Sequence, residues 1–273
     1  MALIDFDGLF DEKLAVYMEE NKNKYTEKQW EDVIPRLYQK FGDTYVAKVK
    51  CTPKEYYAKM TDEELTETLL AHLAQDGPVP EFLCGEIERR NNVEVLLPLL
   101  KSKDAQTVSY AVNLILADRK AYGEYLSLLE RGEVDEDVLD DIVDILKSDA
   151  DEVKAEALRL YREGKATEYA LEILSRVKER SEEIFEVLLK EFLCAEERTP
   201  MRASYLAAYG DERALPHLLA RIEDRTIGFV EFQELKYAIE ALGGEYDEPR
   251  DFSDDKDYIA VEDTNGKTSF PQS

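Results

Sequence analysis

The residue types that do most protein chemistry are sparse in this sequence. His72 and His217 are its only histidines, and Cys51, Cys84 and Cys194 its only cysteines. A zinc site takes about four nitrogen or sulfur ligands, commonly two of them one helical turn apart. Neither histidine has such a neighbour. His72, beside Leu70 and Leu73, reads as a polar position on the edge of a helix. Cys194 precedes Glu196 and Glu197, whose charge raises a thiol pKa, so all three cysteines read as buried structural thiols. Odd in number and far apart, they imply no disulfide framework and a reducing compartment. The acidic runs 251–257 and 263–266 lack the closing glutamate of a calcium loop. A glycine-rich phosphate loop, a Gly-x-Ser-x-Gly elbow and a His-Glu-x-x-His helix are all missing. No catalytic, cofactor-binding or metal-ligating residue is therefore assigned.

Charge narrows the partners. The 61 acidic residues outnumber the 35 basic ones, for a net charge of -26. Affinity for phosphates rests on Lys and Arg releasing counterions, so nucleic acid and anionic membrane are poor candidates for the principal partner. Solubility explains such an excess, and a basic protein or peptide partner is the alternative use of it. With 44% hydrophobic and 35% charged residues the composition is that of a folded chain. The start of the sequence carries acids where a signal peptide carries bases, and no run of about eighteen apolar residues occurs. The expectation is a cytoplasmic protein that does not span a membrane.

Helical punctuation is frequent. Thr26 with Gln29 forms a capping box opening a helix whose apolar stripe is Trp30, Val33, Ile34, Leu37, Tyr38 and Phe41. Gly42 is expected to stop it, Pro35 to kink or split it, and Trp30 to anchor a core. Thr52 and Pro53 open a short helix, and Thr61 with Glu64 a longer one reaching residue 75. The run Asp76-Gly77-Pro78-Val79-Pro80 is the strongest breaker. It separates an N-terminal helical segment, residues 1–79, rich in tyrosine and lysine, from the rest of the chain.

From 80 to 244 a repeat is visible. The pairs Leu99-Leu100, Leu128-Leu129, Ile173-Leu174 and Leu218-Leu219 recur at intervals of 29, 45 and 45 residues, each in the first helix of a candidate hairpin. Partner helices are predicted at 104–117, 135–147, 181–194 and 230–242, with 150–163 and 199–209 as extra helices. In the helix at 135–147, Val138, Ile142 and Ile145 lie opposite Asp137, Asp140, Asp141 and Asp144, giving an acidic solvated face. The last hairpin is the sharpest: Gly210 closes one helix, Asp211 caps the next, and Leu215, Leu218, Leu219 and Ile222 share a face.

That stretch resembles a HEAT-like repeat of the type found in bilin lyases, carried by Gly210, Asp211, Arg213, Ala214, Leu215, Pro216, Leu218 and Leu219. The segment 225–229 is longer than the pattern allows. The resemblance implies an all-α fold, a helical-hairpin solenoid, and a non-catalytic scaffold or adaptor for a protein or peptide. It also brings in two rivals: a lyase-like enzyme using carboxylates in the solenoid groove, and a glycosylase for alkylated DNA, which the acidity disfavours. In such solenoids the second helices line the concave side. The stripes expected there are Gln106, Ser109, Tyr110 and Asn113, then Glu183, Glu186 and Lys190, then Gln233, Lys236, Tyr237 and Glu240. Ordinary solvated helix faces would look the same.

Residues 245–273 hold nine acids against three bases. Asn265-Gly266 between 259–264 and 267–270 predicts a small β-hairpin, with a solvated acidic tail as the alternative.

Overall fold

A computed structural model describes residues 3–75, 78–195 and 198–266, with the side chains of all but 262–266. The fold is all-α, and among the described residues there is no strand, only one isolated bridge between Val46 and Cys51. Contacts divide the chain into two units, Met1–Leu128 with Glu133–Asp141, and Leu129–Gly132 with Ile142–Ser273.

The first unit holds α1 (Phe6–Glu20), α2 (Glu27–Gly42), α3 (Pro53–Ala58), α4 (Asp62–Leu73), α5 (Glu81–Arg90), α6 (Val93–Leu96), which continues as a 3-10 turn, and α7 (Ala105–Ile115). The division between units falls within α8 (Tyr122–Arg131) and α9 (Glu136–Ser148). Thr26, Thr52 and Thr61 each close a capping box, with Gln29, Glu55 and Glu64 returning the bond to the cap N–H. Asp76 and Gly77 of the strong breaker lie outside the described residues. Packing nevertheless crosses the break, since α5 lies against α3 and α4.

Several readings of this segment are refined or corrected. Of the two outcomes expected at Pro35, a kink or a split, the split does not occur: α2 runs unbroken for 16 residues, because only one backbone bond is lost. α2 does end at Gly42, with Asp43 as its C-cap, but Gly42 does not take up the left-handed conformation of a glycine stop. It sits buried inside the last turn, where an added Cβ would come 2.6 Å from the Phe82 ring and 2.8 Å from the Lys54 stem, so its missing side chain admits both. Trp30 is half-buried, edge-on to Tyr17 and Tyr25, because the core lies at the far end of the stripe, where Phe41 meets Phe10 of α1. His72 is not an edge residue. The helical period from Leu65 through Leu69 carries it inward, where it is buried, and turns Leu70 out.

The second unit holds α10 (Ala150–Arg162), α11 (Thr167–Leu174), α12 (Glu182–Leu193), α13 (Thr199–Tyr209), α14 (Leu215–Ile222), α15 (Phe229–Ala241) and α16 (Lys256–Gly266). The helices read as extras are integral: α10 pairs with α11, while α13 packs against α11, α12 and α15. Cys194 caps the end of α12 and is exposed, not buried, because α12 has already delivered Leu188 and Phe192 to the core one turn earlier. Its acidic neighbours Glu196 and Glu197 lie outside the described residues.

Remote side chains finish many helix ends. Arg90 donates to the carbonyls of Tyr57 and Ala58 at the end of α3. Arg180 does the same for Tyr209 and Gly210 after α13, and Arg250 for Ile222 and Asp224 after α14. Each supplies fork-shaped positive charge to orphan carbonyls at the negative end of a helix.

The predicted C-terminal hairpin is not formed. Residues 259–266 belong to α16, and 267–270, the other half of the prediction, lie outside the described residues. Asp255 explains the helix. One carboxylate oxygen accepts the N–H groups of Asp257 and Tyr258 in the first turn of α16, and the other that of Phe229 at the start of α15. The segment before it is docked as well, with Tyr246 and Phe252 against Phe232 and Tyr258 against Phe229.

Candidate binding surfaces and a pocket on α5

The predicted stripes fall into three environments. On α7, in the first unit, Gln106 and Asn113 are exposed while Ser109 and Tyr110 are half-buried. Burial raises the Tyr110 hydroxyl pKa, with the Cys84 group as the further cause. On α12, Glu183 and Lys190 turn to α10: Glu183 pairs with Arg162, and Lys190 Nζ lies 3.4 Å from Tyr161 Oη. Glu186 is exposed. On α15, Gln233 and Lys236 are half-buried, Glu240 is exposed and 3.9 Å from Lys236, and Tyr237 is 61% exposed. Val230, two turns before Tyr237 on the same face, is 46% exposed. The opposite face of α15 buries Phe232, Leu235, Ala238 and Ile239.

Sequence reasoning missed a cavity of about 630 Å³ bounded by α2, α3 and α5. One wall is the parallel stack of Tyr38 and Phe82, with ring centres 4.5 Å apart. Three features build that wall. Gly42 leaves room for the Phe82 ring. Asp7 accepts the Tyr38 hydroxyl at 2.5 Å, and its other oxygen accepts the Glu81 N–H that opens α5. Burial and the Asp7 carboxylate both push the Tyr38 hydroxyl up, so it stays a donor.

Cys84 lines the same cavity. Burial first, then the charges of Glu88, Asp7 and Glu81, push its thiol up to about 11. It is protonated at neutral pH and only a slow nucleophile there. The cations at the rim are already paired, Lys54 with Asp43 at 2.8 Å and Arg89 with Glu86 at 2.7 Å. The Arg89 and Arg90 hydrogen bonds hold Glu86 below its usual range. Among the described residues no three metal-ligating groups converge, and none of the helices is long and apolar enough to cross a membrane. The only local signal for this pocket was the spacing of Glu81, Cys84, Gly85 and Glu88 along one helix face.

A second, apolar groove of about 180 Å³ runs between α1 and α2, lined by Phe10, Leu14, Tyr17, Leu37 and Phe41 with Lys13 and Lys40 at its edge.

No protein-family model, curated protein or solved structure matches the chain.

Proposed function

We propose that this chain is a HEAT-like helical-repeat protein that works as a non-catalytic scaffold or adaptor, binding a protein or peptide in a cytoplasmic, reducing setting. The observation that carries the reading is α15, whose outward face presents Tyr237 and Val230 to solvent beside Lys236 and Glu240. Large apolar side chains on a rigid helix, flanked by charge, suit protein recognition, because a tyrosine offers area with few torsions to freeze.

Recurrence within the units supports the repeat. The helices α5, α7, α10 and α13 are each followed by a residue of positive φ, Asn91, Leu116, Gly164 and Gly210. After two of them an aspartate accepts an N–H two residues on, Asp118 from Lys120 and Asp211 from Arg213, opening a 3-10 turn that leads into α8 and α14. Polar links span similar lengths of chain, such as Asp62 to Arg90, Tyr161 to Glu191 and Glu182 to Arg213. A carboxylate-using enzyme finds less support, since the best-placed thiol is held protonated and many carboxylates are engaged in caps and ion pairs.

The test is affinity capture from lysate at low and then moderate salt, comparing the native chain with a Val230→Ser/Tyr237→Ser variant. A partner kept at moderate salt by the native chain and lost by the variant is the expected result. Retention of the same proteins by both, all released together as salt rises, would reduce the binding to nonspecific attraction by an acidic surface.

A further inference from the structure

The cavity on α5 carries unspent charge. Glu81 and Glu88 lie two helical turns apart, and neither side chain has a hydrogen-bond or ion-pair partner among the described residues. Between them Gly85 leaves the floor open, with nothing within 4 Å of where a Cβ would stand. Lys54 and Arg89 are neutralised by Asp43 and Glu86, so the surplus at the rim is negative. The wall facing it is the Tyr38–Phe82 stack, held rigid by Asp7 and Gly42.

We propose that this pocket binds an arginine side chain presented by a polypeptide partner, its stem lying along the Tyr38–Phe82 wall and its guanidinium meeting Glu81 and Glu88. Arginine fits both halves of the site, since its planar head stacks on rings and forks onto carboxylates, whereas lysine offers only a point charge. The rim residues Gln39, Glu55, Glu81 and Glu88 are exposed, which lets a chain lie across the mouth while one side chain enters. The assignment rests on the binding-protein reading and names the chemistry of its partner.

Cys84 supplies the readout. The three free thiols differ in access, Cys51 being buried, Cys84 half-buried and Cys194 exposed, so at mildly alkaline pH, where some Cys84 thiolate is present, slow alkylation can be followed site by site by mass spectrometry with Cys194 as internal reference. The probe is a nonapeptide capped at both ends whose one charged residue is a central arginine, set against the same peptide with citrulline in that place, and against spermidine. At a peptide concentration about ten times Kd, alkylation of Cys84 should slow roughly tenfold while Cys194 is unaffected. Citrulline should remove the protection, and so should Glu81→Gln/Glu88→Gln, a surface change that leaves the helices intact. Equal protection by the citrulline peptide, protection by spermidine but not by the arginine peptide, or no protection by any probe would each overturn the proposal. None of these outcomes touches the Val230/Tyr237 comparison, so the two readings fail separately.

Discussion

Helices α1–α5 and helices α10–α15 bury their apolar faces by different means. The first group meets ring to ring: Phe6 on Tyr56 and Tyr57, Phe10 on Tyr38 and Phe41, Tyr38 on Phe82. The second meets chiefly through aliphatic side chains with no exposure at all, among them Leu160, Leu171, Leu174, Ile184, Leu206 and Leu235, with ring contacts gathered on α15 at Phe229 and Phe232. Charge obeys the same divide. The first 60 residues hold ten bases and eleven acids, close to balance in a chain of net charge -26. Both the α5 cavity and the α1–α2 groove open among the rings of the first group. Close packing makes a rigid element; incomplete packing leaves room for a ligand.

Truncation tests that contrast most directly. Leu206 on α13 is fully buried where α11, α12 and α15 converge on that helix, and Leu206→Ala should cost about 2–5 kcal/mol in urea unfolding of the full chain. Leu37 lines the α1–α2 groove half-buried, so Leu37→Ala should cost about 1 kcal/mol. Similar losses at both sites would mean that the groove is as well packed as α13 and would remove the distinction.

Adding a side chain asks the converse question. Gly42→Ala places a methyl group where the Phe82 ring lies, and an alanine is otherwise well suited to a helix. The ring must swing toward the cavity, at a cost of about 1–3 kcal/mol. Site-resolved alkylation should then show altered access at Cys84 and none at Cys194. A neutral effect on both stability and access would show that the ring wall has slack.

Legibility in the sequence depends on distance along the chain. The three capping boxes join residues three apart, and α7, α12 and α15 were placed to within about two residues by their apolar period. The remote caps were out of reach, because nothing local says that Asp7 will meet the N–H of Glu81 or that Arg180 will reach Gly210. The C-terminal helix was misread for a related reason: Asn265-Gly266 is a strong local turn signal, whereas Asp255 is stabilised as a cap by serving α15 as well. The pocket was hidden because its walls come from three helices and because Gly42, besides ending α2, makes room for a ring forty residues away in sequence.

The smallest expected effect sharpens the comparison on its acid side. His72 is buried in α4, and its Nε2 atom has no hydrogen-bond partner. Burial lowers its pKa from the ordinary 6.5, more than the charges of Asp5 and Asp7 and the Pro78 carbonyl raise it. The unfolded chain therefore takes up the proton first as pH falls. Stability from the neutral imidazole is complete above 6.5 and is lost as pH drops through the folded value, with a slope no steeper than about 1.4 kcal/mol per pH unit. In His72→Leu that component should vanish, leaving only the slope from carboxylates such as Asp62 and Glu86, whose pKa values are held down by hydrogen bonds from Asn92 and Arg90 to Asp62 and from Arg89 and Arg90 to Glu86. The measurement is the difference between native and variant unfolding free energies from pH 7 to 5. A difference that stays constant across that range would mean that the imidazole finds a partner when charged, and that this corner of the ring-lined unit is as fully satisfied as the aliphatic helices of the other.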